Sequence, residues 1–406
     1  MTIILFDTPE TESPLTGPSA PGSNFGSRQE NFMTVNLFSP LAIGPYELAH
    51  RVVMAPLTRM RASQPGNVPS ALNAEYYAQR ATEGGLIISE GSPVSLVGQG
   101  MPATPGIHTP EQIAGWQTVT DAVHRKGGKI FLQLWHVGRI SHSSHQPDGA
   151  LPIAPSAIAA RGQAFTASFE RVPFETPQAI DIDLISLLID IYAQAAANAK
   201  QAGFDGVEIH GANGYLIEQF LQARTNQRTD QYGGSIENRT RLLLEVVEAV
   251  SKVWGPDRVG VRLSPFGIAN DSGEDDPLRL YGHVIRELNR LHLAYLHLIE
   301  PRASGAGQAE VDHKNVPSAA ELFRPAWSGK LIVAGNFRPD TAEAALAAGH
   351  ADAIAFGRLF IANPDLPERI RRGAALNPYH RPTFYGGGAE GYTDYPSLDD
   401  AMEAAE

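Results

Sequence analysis

The sequence predicts an α/β protein closed as a (β/α)8 TIM barrel, and three observations carry that expectation. Short apolar, β-branched runs recur eight times from residue 51 onward. Stretches with apolar residues at helical spacing separate them, and this alternation of the two periods is the mark of a parallel sheet wrapped by helices. No G-x-G-x-x-G follows an early run, so the rival doubly wound open sheet lacks its usual dinucleotide fingerprint.

In order, the runs are RVVMAPL (51 to 57), GGLIISEG (84 to 91), KIFLQLWH (129 to 136), GVEIHGA (206 to 212), VGVRLSP (259 to 265), YLHLIEP (295 to 301), KLIVAGN (330 to 336) and DAIAFGR (352 to 358). Each is short and dominated by Val, Ile, Leu and Ala, as strands buried on both faces are. Helical spacing covers AEYYAQRA, PEQIAGWQTVTDAVHR, DLISLLIDIYAQAAANAKQAG, IENRTRLLLEVVEAVSKVW and TAEAALAAG. Eight strand–helix repeats in about 330 residues favour closure over an open sheet. One interruption, residues 137 to 180, scatters proline and glycine and is expected to form an excursion on the third loop.

Residues 8 to 31 are rich in Pro, Ser, Thr and Gly. Such a segment cannot bury enough apolar surface to offset its ordering entropy. A disordered extension over residues 1 to 32 is expected, with Met33 as a candidate translation start and residues 33 to 406 as a single domain.

The net charge of -12 repels a phosphate backbone, so nucleic acid is not an expected partner. The chain has no cysteine, which excludes disulfides, thiolate metal sites, iron–sulfur clusters and thiol nucleophiles. No secretory signal and no apolar run near the ~18 residues of a membrane span are apparent, so a soluble, cytoplasmic protein, monomer or homodimer, is expected.

In such barrels the chemistry lies at the C-terminal rim of the strands. The strand ends offer Pro56 and Thr58, Gly91, Gln133 with Trp135, His210 with Asn213, Arg262, Glu300, Gly335 with Asn336, and Gly357 with Arg358. Glycine turns after strands seven and eight, each leading into a helix, form the usual phosphate site of the fold. Gln133 and Thr58 suit the carbonyl and N–H edge of a heteroaromatic ring, and Arg262 suits a ring that becomes anionic on reduction. Each also has a plain structural use: a turn cap for Thr58, a backbone partner for Gln133, an ion pair with Glu208 for Arg262. Their convergence on one rim favours flavin mononucleotide.

These residues sit in longer motifs: MAPLTRMRA, FLQLWHVGRISH, VEIHGANGYLIEQFL with TNQRTDQYGGSIENRTR, VGVRLSP, AFGRLFIANPDLPERI and TFYGGGAEGYTDYPS. Across residues 34 to 400 the sequence resembles the Old Yellow Enzyme family of FMN-dependent ene-reductases, including N-ethylmaleimide and nitrate-ester reductases. The resemblance implies bound FMN, reduced by NADPH or NADH, that delivers hydride to an electron-poor alkene: an unsaturated carbonyl, a nitroalkene or a maleimide. It puts flavin contacts on Pro56, Thr58, Gly91, Gln133, Arg262, Gly335, Asn336, Gly357 and Arg358, with Phe384 and Tyr385 closing over the ring. It puts the substrate-anchoring pair on His210 and Asn213, the proton donor on Tyr215, and pocket lining on Trp135. Many members carry tyrosine where this chain has Met101, which exchanges a hydroxyl for a flexible thioether in the substrate pocket.

The chemistry explains the trio. Hydride addition to an enone leaves negative charge on the carbonyl oxygen, which calls for donors aimed there. His210 and Asn213, three residues apart, are expected on one side of a helical turn, with Gly211 and Gly214 permitting the bend and Tyr215 acting as general acid. Taken singly, each has a bland reading as core histidine, cap and packing tyrosine.

Three rivals remain. One is a barrel that stores flavin without catalysis. A metal hydrolase would recruit His136, His210 and His297, yet no H-x-H or H-x-x-x-H spacing supports it, and no metal is expected. A Schiff-base aldolase needs a lysine at a strand's C-terminal end, whereas Lys129 and Lys330 open theirs.

Overall fold

The computed structural model describes residues 35–301 and 318–403 of the chain. The expected extension over residues 1 to 32, and Met33, lie outside the described residues.

Eight parallel strands pair in chain order: β1 (Val52–Met54), β2 (Leu86–Pro93), β3 (Lys129–Trp135), β4 (Gly206–Gly211), β5 (Val259–Leu263), β6 (Tyr295–Ile299), β7 (Leu331–Ala334) and β8 (Ala353–Phe356). β8 returns to β1, so the sheet closes. Seven strands fall inside their expected runs and β2 starts within its own (84 to 91) but continues to Pro93; short, apolar segments of this kind suit strands buried on both faces.

The interior is filled by matching rings to glycines. Phe131 on β3 and Tyr295 on β6 meet inside, ring centroids 5.8 Å apart. A Cβ at Gly206 would lie 2.5 Å from the Phe131 ring, and one at Gly260 would lie 2.3 Å from the Tyr295 ring. Only glycine leaves room there. Below this layer, an antiparallel hairpin of Leu41–Ile43 and Tyr46–Leu48 plugs the base, its Leu41, Ile43 and Leu48 clustering with Phe131, Tyr295 and Ile332. Lys129 opens β3 at this end and pairs with Asp205, Nζ to Oδ1 3.2 Å. It lies far from the rim chemistry a Schiff base would need.

The helices are α1 (Ala71–Arg80), α2 (Pro110–His124), α3 (Ile185–Gln201), α4 (Leu216–Leu221), α5 (Ile236–Trp254), α6 (Pro277–Asn289), α7 (Ala319–Phe323), α8 (Pro339–Ala347), α9 (Arg358–Ala362), α10 (Leu366–Arg372) and α11 (Leu398–Glu403). Side-chain caps start several of them: Thr109 accepts from the Gln112 N–H, Ser235 from Asn238 and Asp276 from Arg279. Contrary to the expectation from sequence, the segment Ile182–Gln201 is long and apolar enough to cross a membrane. Its apolarity has another use. Ile185, Leu188, Tyr192, Ala195, Ala196 and Ala199 are buried against the barrel wall and α5, as in a core helix.

The excursion after β3 has its own small sheets, which no period in the sequence announces. Gln163–Phe165 pairs antiparallel with Arg171–Pro173, and Ile153–Ala154 runs parallel to Gln178–Ala179. Two- and three-residue strands are too short to show alternation.

Candidate active site

At the rim, β3 and β4 bring three rings together. The Trp135 and His210 rings lie nearly parallel, 6.5 Å between centroids and 22° between planes. Tyr215 stands edge-on to both, 4.9 Å from Trp135 and 5.1 Å from His210. His210 Nδ1 accepts the Ala212 N–H at 3.3 Å, so in the neutral ring the proton sits on Nε2. Burial, then the positive charge of Arg262, holds the His210 pKa well below its ordinary value. The imidazole is a neutral donor. Burial likewise raises the Tyr215 phenol, with Asn270 pulling the other way, so the hydroxyl keeps its proton at neutral pH.

The turn between His210 and Tyr215 is not the helical one expected. Asn213 (φ 58°) and Gly214 (φ 76°) are both left-handed, and α4 begins only at Leu216. Gly214 supplies a conformation that side chains disfavour, but Gly211 remains in the strand, where a Cβ would lie 3.1 Å from the Arg262 carbonyl oxygen. Gly211 therefore permits close strand packing rather than a bend. The turn is held from below. Asn213 N–H donates to Ser264 Oγ at 2.8 Å, Asn270 Nδ2 donates to the Asn213 carbonyl at 2.9 Å, and Gly214 N–H donates to the Glu218 carboxyl at 2.5 Å.

Beneath the rings lies a buried polar layer. Glu208 on β4 accepts from Gln133 Nε2 on β3 and pairs with His297 Nδ1 on β6, both at 2.8 Å. Burial pushes Glu208 up, but His297, Arg262 and Gln133 outweigh it and keep the carboxylate below its usual range. With Nε2 spent on Glu208, the Gln133 carbonyl oxygen is the group left to act as an acceptor. Trp135 Nε1, Arg262 Nε and His297 Nε2 are buried without a hydrogen-bond partner among the described residues.

The ends of β7 and β8 are bridged, Arg358 Nη2 donating to Asn336 Oδ1 at 2.7 Å. Gly335 (φ 137°) admits no side chain, since a Cβ would lie 2.6 Å from that of Glu300. Glu300 itself caps α7, accepting from Ser318 Oγ and from the Ala319 and Ala320 N–H groups at 2.7 to 3.1 Å. Gly91 on β2 leaves space for Trp135, whose ring would meet a Cβ at 2.9 Å.

Arg59 and Arg61, just after β1, staple the C-terminal segment across the barrel. Arg59 donates to the carbonyls of Phe384 (2.9 Å) and Gly391 (2.8 Å), and Arg61 to those of Thr383 (2.9 Å), Gly388 (2.9 Å) and Glu390 (3.0 Å). Phe384 is thereby buried against Tyr379, with Tyr385 half-buried beside it. Over the Trp135 and Tyr215 rings, Val137, Ile140 and Ala160 with half-buried Met101 and Phe174 form an apolar wall.

An eight-stranded barrel with a buried guanidinium and carboxamide below a ring-lined mouth is the frame of a flavin-dependent oxidoreductase. Residues 36–377 match the family model described as NADH:flavin oxidoreductase / NADH oxidase. The chain belongs to this family, that of Old Yellow Enzyme. It is 46% identical over 380 residues to flavin oxidoreductase hxnT of Emericella nidulans, covering 89% of this chain and 97% of the relative. It is 45% identical to 12-oxophytodienoate reductase 1 of Oryza sativa subsp. japonica, over 91% of this chain and 95% of that one. Among solved structures, morphinone reductase superposes with a TM-score of 0.85 at 50% identity, covering 91% of this chain and 98% of that one. Morphinone reductase in complex with tetrahydroNAD gives 0.84 at 50% identity over 90% of this chain and 99% of that one. The protein is thus an FMN-binding, NAD(P)H-dependent flavin oxidoreductase of the ene-reductase type, not a storage barrel or a metal hydrolase.

Of the residues singled out from the sequence, Trp135, His210, Tyr215 and Met101 converge at one mouth, Gln133 and Arg262 lie beneath it, and Asn336 and Arg358 meet on the β7–β8 side. Thr58 and Asn213 are half-buried there and make no side-chain hydrogen bond among the described residues. His136 and His297 do not join His210 as a cluster. His136 Nδ1 accepts the Gly138 N–H and His297 is committed to Glu208. Sequence alone gave no role to Glu218, Ser264, Asn270 or Phe174, and knew Glu208 and His297 only in other parts. Strand parity would have found the last two: Glu208 is two residues from His210, and His297 lies in register with Arg262.

Proposed function

We propose that the protein reduces the C=C bond of α,β-unsaturated carbonyl compounds, with Tyr215 as proton donor and His210 and Asn213 as the clamp on the carbonyl oxygen. The observation that carries this is the neutral His210, its Nδ1 occupied and its Nε2–H left to donate, in contact with the protonated Tyr215. FMN, when bound, supplies two-electron hydride chemistry, taking a hydride from NADPH or NADH and giving one to the alkene β-carbon.

The residues present fit that group. Arg262 Nε is buried with no hydrogen-bond partner among the described residues, and Gln133 keeps an acceptor oxygen. Arg262 and Gln133, with Thr58 and Pro56, are assigned to the ring, and Gly335, Asn336, Gly357 and Arg358 to the phosphate. Phe384 and Tyr385 are assigned to its cover, held by the Arg59 and Arg61 staples.

His210 and the Asn213 carboxamide donate to the substrate carbonyl and stabilise the charge that develops there. Neither donor depends on pH near neutrality. Tyr215 holds its proton until the α-carbon becomes basic, then transfers it from the phenolic oxygen. Trp135, Met101 and Tyr385 line the substrate space, and its apolar wall favours a hydrophobic ketone over a small charged one. The relatives' names, an oxophytodienoate and a morphinone, are those of ketones, in keeping with this choice.

Stopped-flow separation of the two half-reactions tests the assignment. Tyr215→Phe is expected to slow cyclohexenone reduction by ~10² to 10⁴ while reduction of the cofactor by NADPH stays near its original rate. Equal slowing of both would remove Tyr215 from the role.

A further inference from the structure

We infer that Glu218 is a positioning residue for the alkene-reducing site: its buried carboxylate fills the concave side of the Asn213–Gly214 turn and fixes where Asn213 and Tyr215 present their side chains. The inference rests on the reading that those two side chains face the alkene.

Two consecutive left-handed residues swing their N–H groups to the same side and form a hollow that attracts negative charge. In this chain the hollow is filled from within. Gly214 N–H donates directly to Glu218 Oε2 at 2.5 Å. Asn213 N–H reaches the same carboxylate through one bridge, donating to Ser264 Oγ at 2.8 Å while Ser264 Oγ–H donates to Glu218 Oε1 at 2.6 Å. Tyr281 O–H gives a further bond to Oε1, also 2.6 Å. Each donor comes from a different element: the turn itself, the segment after β5, and α6.

A carboxyl so placed is costly. Glu218 is fully buried, and its partners are neutral donors with no cation among them, so only these hydrogen bonds offset the water it has lost. An apolar side chain of similar volume would pack α4 at lower cost. What it would not do is hold two adjacent left-handed residues, one of them an asparagine. Above the pH of about 7 to which burial raises it, Glu218 is ionised and only accepts, so all its contacts pull in the same sense. A carboxamide there sets an NH2 against at least one donor.

Phenol, an analogue of the enolate oxygen, reports on the clamp without requiring turnover. In the FMN-loaded protein, Glu218→Gln is expected to raise the phenol dissociation constant about tenfold, with FMN content unchanged. Asn213→Ala is expected to raise it by a similar factor. The double variant is expected to be no weaker than Asn213→Ala, because Glu218 acts through that residue. A loss with Asn213→Ala but none with Glu218→Gln, or losses that simply add, overturns the inference and leaves the clamp standing. No loss with Asn213→Ala removes the clamp itself and the inference with it. Should Glu218→Gln fail to fold, Ser264→Ala breaks the bridge alone; a raised phenol constant supports the inference and an unchanged one overturns it.

Discussion

His210 has its Nδ1 occupied by the Ala212 N–H and is kept neutral chiefly by burial. A histidine with its ordinary titration near pH 6.5 would change its charge across the assay range. This one does not, so in Glu218→Gln, which removes the positioning carboxyl that burial raises to about 7, the KM for cyclohexenone is expected to stay flat between pH 6 and 8. A tenfold change centred near 6.5 in that variant would show that the ring ionises. At this scale the sequence was half legible. His210, Asn213 and Tyr215 stand out because three polar residues interrupt an apolar run among glycines. Their geometry did not, since a spacing of three suggests a helical turn and only the positive φ of Asn213 and Gly214 reveals another. Glu218 was hidden for a simpler reason. An acid in the first turn of a helix reads as dipole complementarity, not as a buried anchor.

Among the elements, the strands announced themselves and their partners did not. Eight apolar runs are visible without knowing what closes the barrel, whereas the staple joining Arg59 and Arg61 to residues 383–391 spans more than 300 positions in sequence. Both arginines bond backbone carbonyls, which every sequence possesses, so no complementary residue betrays the contact. Arg61→Met keeps the apolar stem and deletes the donors. It is expected to destabilise the fold by roughly 2 to 4 kcal/mol and to speed FMN release. Urea unfolding and the recovery of FMN fluorescence measure both, and no change in either would mean that the segment holds itself. Gly260→Ala tests the barrel interior. Its new methyl would lie 2.3 Å from the Tyr295 ring, an overpacking that costs about 1 to 3 kcal/mol or more. Unaltered stability would mean the ring has room to move.

For the whole molecule, buried titratable groups set the response to acid. Burial lowers His50 to about 4 and His136 to about 3, and it also lowers His108, His145, His210 and His297. Burial raises Glu90 and Glu218 to about 7. The two sets oppose each other. Near pH 5.5 these histidines take up protons on unfolding, which favours the unfolded chain. The two carboxyls release protons on unfolding, which favours the fold. The lowered histidines outnumber the raised carboxyls by six to two, so stability falls as pH drops from 6.5 towards 5. Thermal midpoints across that range measure it, and a midpoint that is level or rises would mean the carboxyls dominate. None of this was legible from composition, because burial decides which of the 13 histidines count.

The hairpin at Leu41–Ile43 and Tyr46–Leu48 covers the base of the vessel, opposite the rim that carries the rings. We expect donor and acceptor to come and go in turn by that rim. Steady-state rates should then give parallel lines in double-reciprocal plots, with each visitor inhibiting the other at high concentration, a queue imposed by a plug on the far side of the barrel.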